Sequence, residues 1–327
     1  MDEVISKIAF PGLGIGEFEV SSVAFRMFDI SIAWYALIIT FGMICTVIYT
    51  VSQAKKIGVT FDDVIDYALF TIPFGVIGAR LYYVLSKLEY YDSFMDVINI
   101  REGGLGIYGG IIAGTITVLV VSHFKKINFF AFGDCVAPGV LLAQGIGRWG
   151  NFMNGEAFGY ETDWFCRMQL QNINTGGRVM EVHPTFLYES LWNLLGVLLV
   201  YLFIKFIGKK YDGQLILLTF GWYGLGRMFI EGLRTDSLYF GPEEWGIRTS
   251  QVLAGIIFLL FLAMLIYFHF KKPNKPLYCK APAEENASSK KSVKAENAAE
   301  KNNDSETEEK VSALEKVKKA IQKLWQK

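Results

Sequence analysis

Long apolar stretches are the feature that most constrains the fold of this chain. Seven of them are about 20 residues long, the length that a helix needs to cross a bilayer core of roughly 30 Å. They cover residues 29–51, 65–86, 105–122, 128–146, 184–206, 213–231 and 249–269. A backbone in hydrocarbon must satisfy its own hydrogen bonds, which favours helices. The sequence therefore predicts an all-α polytopic membrane protein with about seven transmembrane helices.

The composition agrees with a membrane location and excludes some functions. The mean hydropathy is +0.31, although the chain is almost entirely polar from about Lys271 onward. The formal net charge is zero, which argues against a nucleic-acid partner because binding a phosphate backbone requires a basic excess. The four cysteines are scattered, without metal-site or disulfide spacing. No metal is expected.

Lysine pairs give the orientation. They follow the first, third, fifth and seventh apolar stretches, so that all of them fall on one side of the predicted bundle. Short loops rich in lysine and arginine remain in the cytoplasm. The N-terminus is therefore expected outside and the C-terminus inside. The first residues, MDEVISKIAFPGLG, lack the basic region and cleavage site of a signal peptide, so the first stretch is expected to stay in the membrane.

This pattern divides the chain into regions. Residues 1–28 are expected to form an extracytoplasmic segment and residues 29–270 a transmembrane domain, whose longest outer loop, about 147–183, forms a small extracytoplasmic head. Residues 271–327 are expected to be a mostly disordered cytoplasmic tail. Within it, residues 310–327 indicate a basic amphipathic helix, which could lie on the inner leaflet or pair with a partner helix.

The predicted outer segments carry arginines instead of lysine pairs. These arginines are Arg101, Arg148, Arg167, Arg178, Arg234 and Arg248. A guanidinium is a planar fork that binds a phosphate or carboxylate through two hydrogen bonds. The outer side is therefore predicted to bind an anion.

Ionisable residues also lie inside the apolar stretches, where they are costly unless paired. Arg80 lies in the second stretch, and Arg227 and Glu231 lie in the sixth. With Arg234, the latter two share one helical face, because they are spaced by four and three residues. An ion pair that only fixes helix packing is one interpretation. An anion site is the other, because arginines outnumber acids in this motif.

Glycines are concentrated around the start of the third stretch. The sequence GLGIYG, residues 104–109, has the GxGxxG spacing of dinucleotide-binding loops, but those require a preceding strand and a βαβ unit. Gly110 and Gly114 form a GxxxG pair that lets two helices approach closely. Exposed backbone amides here could also contact a polar headgroup. The two interpretations are compatible.

Four motifs resemble those of the bacterial prolipoprotein diacylglyceryl transferases. They are EGGLGIYGG (102–110), GRWGNFMNGEAFG (147–159), HPTFLYES (183–190) and GRMFIEGLR (226–234). The resemblance extends over nearly all of residues 29–270, and the tail beyond 280 lies outside it. It implies an enzyme of the bacterial cytoplasmic membrane that uses no cofactor. Such an enzyme transfers the sn-1,2-diacylglyceryl group of phosphatidylglycerol to the lipobox cysteine of prolipoprotein signal peptides, at the outer leaflet, and releases glycerol phosphate.

The resemblance also implies roles for individual residues. Arg148 and Arg227 would bind the departing phosphate, and Glu231 would hold Arg227 in place. Substrate contacts are expected from Tyr35, Gly109, Asn151, Asn154, Glu156, Gly159, His183 and Arg234. In this set, the asparagines and Glu156 would orient the headgroup glycerol. A lone tyrosine such as Tyr35 could equally be an interfacial anchor.

One position departs from the family pattern. Many members have a histidine where this chain has Tyr108, and that histidine is a natural candidate to take the thiol proton. Tyr108 would do so only if an arginine stabilised its phenolate, and otherwise it could hydrogen-bond the lipid. His183, beside a proline at a helix start, and Glu156 are further candidates. We hypothesise that the thiol needs no dedicated histidine, because an arginine-rich pocket lowers its pKa directly.

Two other classes of function remain open. A transporter or flippase for anionic lipids would also place arginines in a bundle, but it typically has inverted repeats, and no convincing repeat is found here. In a receptor or scaffold without catalytic activity, the Arg–Glu pair would be structural.

Overall fold

The computed structural model describes residues 3–28, 30–91, 93–99, 103–235, 248–271 and 276–280. Arg101, the amphipathic helix expected at 310–327 and most of the tail predicted at 271–327 lie outside these residues.

Helices account for most of the described chain. They are α1 Trp34–Ala54, α2 Phe61–Ser86, α3 Phe94–Ile98, α4 Ile107–Lys125, α5 Phe129–Asn154, α6 Thr185–Phe206, α7 Gln214–Ile230 and α8 Thr249–Lys271. Within the described part, six of them are long and apolar enough to cross a membrane, namely α1, α2, α4, α5, α6 and α8. A polytopic membrane protein is thus confirmed. The stretch predicted at 213–231 contains α7, which has 17 residues, so the number of seven crossings stays a prediction.

The central helix of the bundle is α5. About 50% of its apolar window is buried, against 6–11% in α1, α2, α4 and α8, whose apolar side chains face outward. It packs against α1, α6 and α7, while α2 packs on α4 and α7 on α8. The side chain of Asn128 caps the start of α5 by accepting hydrogen bonds from two backbone amides. The GRWGNFMN motif forms the last turns of this helix.

A small antiparallel sheet covers the end of the bundle where α5 ends and α6 begins. Its strands are β1 Ile5–Phe10, β2 Ile15–Ser21, β5 Met168–Gln171 and β6 Met180–Val182, in the order β2-β1-β5-β6, while β3 Val23–Met27 and β4 Ile30–Ala33 form a separate hairpin. Ile8 pairs with Leu170, and both pack with Val182 on Phe186 of α6. The head thus has its own apolar core, fixed to the bundle.

The structure adds a small sheet to the all-α architecture with an extracytoplasmic head that the sequence predicts. The strands of the segment expected at 1–28 pair with a strand of the head expected at 147–183. In addition, α5 continues through Asn154, so the first eight residues of the expected head are helical. Short strands paired across about 160 residues leave no local signal, which is why hydropathy did not reveal them.

Arg80 has a structural role. Its guanidinium donates hydrogen bonds to the backbone carbonyls of Asp96, Val97, Gly103 and Gly104, at 2.6–3.0 Å. Two of these carbonyls belong to α3 and two lie just before α4. The charge of Arg80 is therefore compensated by backbone carbonyls.

The glycines of α4 allow it to pack closely on α2. A Cβ added at Gly109 would lie 2.2 Å from the carbonyl oxygen of Gly78 and 2.3 Å from Cβ of Tyr82, whereas one at Gly114 would lie 3.6 Å from Thr71. Glycines do permit close packing here, but at Gly109 and Gly78 rather than at the predicted Gly110–Gly114 pair, where added Cβ atoms would lie at least 3.4 Å from their neighbours.

Gly109→Ala is expected to destabilise the protein by about 1–3 kcal/mol, because backbone must move to admit the methyl group. Gly114→Ala, five residues further along α4, should have little effect, since its Cβ would meet ordinary van der Waals neighbours. Thermal unfolding in detergent compares the two variants. Equal stability would contradict this account of the α2–α4 contact.

Candidate active site

Two arginines from distant parts of the chain meet at one buried carboxylate. Glu189, in the first turns of α6, is 4% exposed. Its Oε2 lies 2.5 Å from Nη2 of Arg148 on α5, and its Oε1 lies 2.6 Å from Nη1 of Arg227 on α7. The structure therefore brings together the two guanidiniums that the sequence singled out, and it does so through a residue that was not singled out.

The motif at the end of α7 completes the group. Nη2 of Arg227 lies 2.5 Å from Oε2 of Glu231, four residues later, as their helical spacing predicts. The helix then tightens into one 3-10 turn, after which Arg234 approaches Glu189 at 3.6 Å and Glu231 at 3.9 Å. We call these five side chains, Arg148, Arg227, Arg234, Glu189 and Glu231, the arginine cluster.

The arginine cluster carries an excess of positive charge. Its three guanidiniums face two carboxylates, which leaves one net positive charge among these five groups. Next to it, the 7% exposed guanidinium of Arg248 donates to the backbone carbonyl of Glu231 and to the hydroxyl of Tyr160. A guanidinium binds a phosphate or carboxylate through two parallel hydrogen bonds. The cluster therefore has the chemistry of a phosphate or carboxylate site.

A chain of polar side chains extends from the cluster along the last turn of α5. Nη1 of Arg148 donates to Oδ1 of Asn151 at 3.3 Å. The amides of Asn151 and Asn154 both donate to Oε1 of Glu156, at 2.9 and 3.1 Å. The exposed carboxylate of Glu156 is thus linked to the Arg148 guanidinium through Asn151 and is accessible to a ligand that carries hydroxyl groups.

The head fixes the position of this polar chain. Gly155 caps the end of α5 with a left-handed φ of +59°, and a Cβ there would lie 2.2 Å from the Asn172 amide. That amide donates both to the carbonyl of Gly155, at 2.8 Å, and to Oγ of Ser6 in β1, at 2.9 Å. The sheet is therefore anchored at the residue before Glu156.

Two tyrosines adjoin the cluster. The ring of Tyr35, at the start of α1, packs so closely on α5 that a Cβ at Gly150 would lie 2.6 Å from it, and its hydroxyl interacts electrostatically with Glu156 and Arg148. Tyr223 lies one turn before Arg227 on α7. It interacts electrostatically with four members of the cluster, namely Arg148, Glu189, Arg227 and Glu231. Tyr35 was predicted from the sequence, whereas Tyr223 was not.

Other predicted site residues lie in different surroundings. Tyr108 packs edge-on against Tyr82 of α2, with ring centroids 6.0 Å apart, and in the described part no hydrogen bond or ring contact joins it to the cluster. Gly109 is part of the α2–α4 contact. Gly159 forms a backbone bridge with Arg234 and has no room for a Cβ, which would lie 2.7 Å from Cβ of His183.

His183 belongs to a separate hydrogen-bonded group in the head. Its Nδ1 lies 3.2 Å from the hydroxyl of Tyr188, which in turn lies 3.3 Å from Sγ of Cys166. Burial lowers the pKa of His183, so the imidazole is neutral at pH 7. Among the described residues, no group of three or more His, Cys, Asp or Glu side chains is arranged to bind a metal ion.

Signals for the missed residues were present in the sequence. Glu189 lies inside the stretch predicted at 184–206, where an acid is expensive and needs a partner. Tyr223 lies four residues before Arg227 and so shares its helical face.

Comparison with known proteins matches this sequence to one family. The model of the prolipoprotein diacylglyceryl transferases matches residues 22–267. A phosphatidylglycerol–prolipoprotein diacylglyceryl transferase of Clostridium perfringens is 42% identical, over 79% of this chain and 99% of its own length. A relative in Clostridioides difficile with the same function in its name is 42% identical, over 74% of this chain and 95% of its own length. Another in Enterococcus faecalis is 39% identical, over 80% of this chain and 94% of its own length. The chain therefore belongs to the prolipoprotein diacylglyceryl transferase family.

Proposed function

We propose that this protein transfers the sn-1,2-diacylglyceryl group of phosphatidylglycerol to the thiol of the lipobox cysteine in prolipoprotein signal peptides, the first step of lipoprotein maturation. Family membership and the names of the relatives support the reaction class. The observation that carries the proposal for this chain is the convergence of Arg148 and Arg227 on the two oxygens of Glu189. Two guanidiniums held in this way present further N–H groups to an anion.

The reaction builds negative charge where the arginines lie. The thiol sulfur attacks C3 of the glyceryl group, the S–C bond forms, and the C–O bond to phosphate breaks, so that its electron pair leaves with glycerol phosphate. The thiol proton is lost to a base. Preorganised donors aimed at such growing charge typically contribute about 3 kcal/mol each. Arg148 and Arg227 are assigned this role, and Glu231 holds Arg227 by the ion pair at 2.5 Å.

The polar chain beyond Arg148 suits the headgroup glycerol. Asn151 and Asn154 offer amide groups and Glu156 a carboxylate, and glycerol hydroxyls need both acceptors and donors. We assign these three residues to orientation of the headgroup.

An apolar groove beside the cluster suits an acyl chain. It has a volume of about 350 Å³, runs between α1, α5 and α6, and includes Leu37, Phe41, Trp149 and Leu194. Trp149 directly follows Arg148 in the sequence, and Ser190 of the groove directly follows Glu189. A lipid whose tail occupied this groove would therefore have its phosphate close to the guanidiniums.

The active site is proposed to face the outer leaflet of the bacterial cytoplasmic membrane. The lysine pairs lie at the ends of helices opposite the cluster, in the loops after α1, α4 and α6. Because such loops stay in the cytoplasm, we expect the N-terminus, the head and the cluster outside and the C-terminus inside.

His183→Gln is expected to leave transferase activity within about tenfold of the unmodified protein, because we do not expect His183 to be the general base. Removal of a general base would lower the rate by at least about 100-fold. The side chain is hydrogen-bonded to Tyr188 rather than to the cluster. Initial rates with phosphatidylglycerol and a lipobox peptide measure the effect. Loss of transfer with lipid binding intact would show that this histidine is the base after all.

The function itself is tested on the purified full chain in detergent, given phosphatidylglycerol and a lipobox peptide. A transferase produces a thioether-linked diacylglyceryl peptide and an equal amount of glycerol phosphate, both detectable by mass spectrometry. Movement of lipid between the leaflets of vesicles without product would indicate a flippase. Peptide binding without product would indicate a scaffold.

A further inference from the structure

We propose that a second lipid site lies at the opposite end of the bundle, where a cavity between α7 and α8 binds the headgroup phosphate of an anionic phospholipid. The cavity has a volume of about 650 Å³. Leu218, Leu265 and Ile266 supply apolar walls, and Lys210, Tyr211 and His269 supply polar groups.

The cavity is distinct from the arginine cluster. It includes Gln214, the first residue of α7, whereas Arg227 lies 13 residues further along the same helix. At 1.5 Å per residue the two are separated by about 20 Å along the helix axis. A lipid in this cavity would therefore belong to the other leaflet, on the side of the lysine pairs.

Tyr211 offers a hydrogen bond that the protein itself does not use. The residue is 8% exposed, its ring packs on Phe268 with centroids 5.1 Å apart, and its buried hydroxyl has no hydrogen-bond partner among the described residues. Burial, and then the charge of Asp134, raise the pKa of Tyr211, so the hydroxyl stays protonated and can donate. Buried hydroxyl groups are normally hydrogen-bonded, and a phosphate oxygen would supply the acceptor.

Two consecutive lysines differ in a way that points to an external anion. Nζ of Lys209 is bound within the protein, 3.1 Å from Asp134 and 3.0 Å from Asp212. The side chain of Lys210 is exposed and makes no ion pair within the described residues, while its backbone N–H donates to Oε1 of Gln214 at 2.7 Å. The cation of Lys210 is therefore available at the edge of the cavity.

The apolar walls identify the occupant as a lipid rather than a free phosphate ion. Leu265 lies on α8, whose exposed surface is largely apolar, so that a chain attached to the phosphate could continue along that helix. The available lysine favours a headgroup with net negative charge, because basic groups at a membrane surface attract anionic lipids. Phosphatidylglycerol is the probe of this class that we choose.

Photocrosslinking tests the proposal. The full chain is placed in phosphatidylcholine nanodiscs with a small amount of phosphatidylglycerol carrying a diazirine on its acyl chain, and adducts are located by mass spectrometry. We expect adducts on residues 265–270, displaced by unlabelled phosphatidylglycerol but by neither phosphatidylcholine nor inorganic phosphate. The double variant Lys210→Gln/Tyr211→Phe should lower the adduct yield by about fivefold or more, because loss of one lysine that binds an anionic headgroup has an effect of this size.

Lys205→Gln is the matched control, because Lys205 is an exposed lysine at the C-terminal end of α6, five residues before Lys210. It should leave the yield unchanged, and all variants should keep their transferase activity. Lys210→Gln alone alters only an exposed side chain and should lower the yield even if the double variant does not fold. Unchanged yield in Lys210→Gln, equal displacement by phosphatidylcholine, or displacement by inorganic phosphate would each overturn the proposal.

Discussion

Replacing Arg148 with alanine is expected to lower the rate of diacylglyceryl transfer by at least about 100-fold, the usual cost of one donor to a developing anion. The guanidinium is held before any lipid arrives, by Glu189 at 2.5 Å and by Asn151 at 3.3 Å. It can therefore stabilise the phosphate without reorganising. Arg148→Lys keeps the charge but loses the planar fork that these two contacts use, so it should remain well below the unmodified rate.

The measurement is the initial rate of peptide lipidation at saturating phosphatidylglycerol, with folding checked by thermal unfolding. Arg178→Ala is the control, because it removes an exposed guanidinium from the head. It should retain full activity. If Arg148→Ala kept more than a tenth of the rate, the phosphate would have to be stabilised elsewhere.

Hydropathy predicted the helices of this protein well for a physical reason. A segment that crosses hydrocarbon must be apolar along its length and must bond its own backbone, so the signal is local. The Arg227–Glu231 ion pair was predictable for the same reason, since its partners are four residues apart on one helix.

The rest of the site depends on contacts between distant segments. Glu189 joins Arg148 and Arg227 only because α5, α6 and α7 pack together, and no spacing within one helix reveals this. The sheet of the head is similar, because β1 and β5 contribute six and four residues and are weak patterns alone. Resemblance to a family identified the arginines, but not the carboxylate between them.

Tyr108 illustrates a different limit. Its place in a glycine-rich motif suggested a role beside the substrate, yet its ring contacts Tyr82 of α2. The neighbouring Gly109 serves helix packing. A motif can thus combine residues that position a helix with residues that meet a ligand, and spacing does not separate the two. Assignment of the base to Tyr108 stays a prediction.

Glu189→Ala is expected to cost about 3–5 kcal/mol of stability, the usual effect of removing one partner from a buried ion pair. Glu189 is 4% exposed and contacts Arg148 and Arg227, with Arg234 at 3.6 Å. Without it, three guanidiniums would face the single carboxylate of Glu231. Glu189→Gln should be nearly as damaging, because an amide N–H would then point at a guanidinium N–H.

Glu181→Gln is the matched control for Glu189. Glu181 also pairs with an arginine, Arg167, at 2.7 Å, but its side chain is 44% exposed, and exposed pairs contribute only about 0–1 kcal/mol. Unfolding of both variants in detergent, with and without added glycerol phosphate, makes the comparison. The anion should recover more stability in Glu189→Ala than in the unmodified protein, because it can replace the missing carboxylate between the guanidiniums. If Glu189→Ala and Glu181→Gln were equally stable, Glu189 would not be the group that neutralises the arginine cluster.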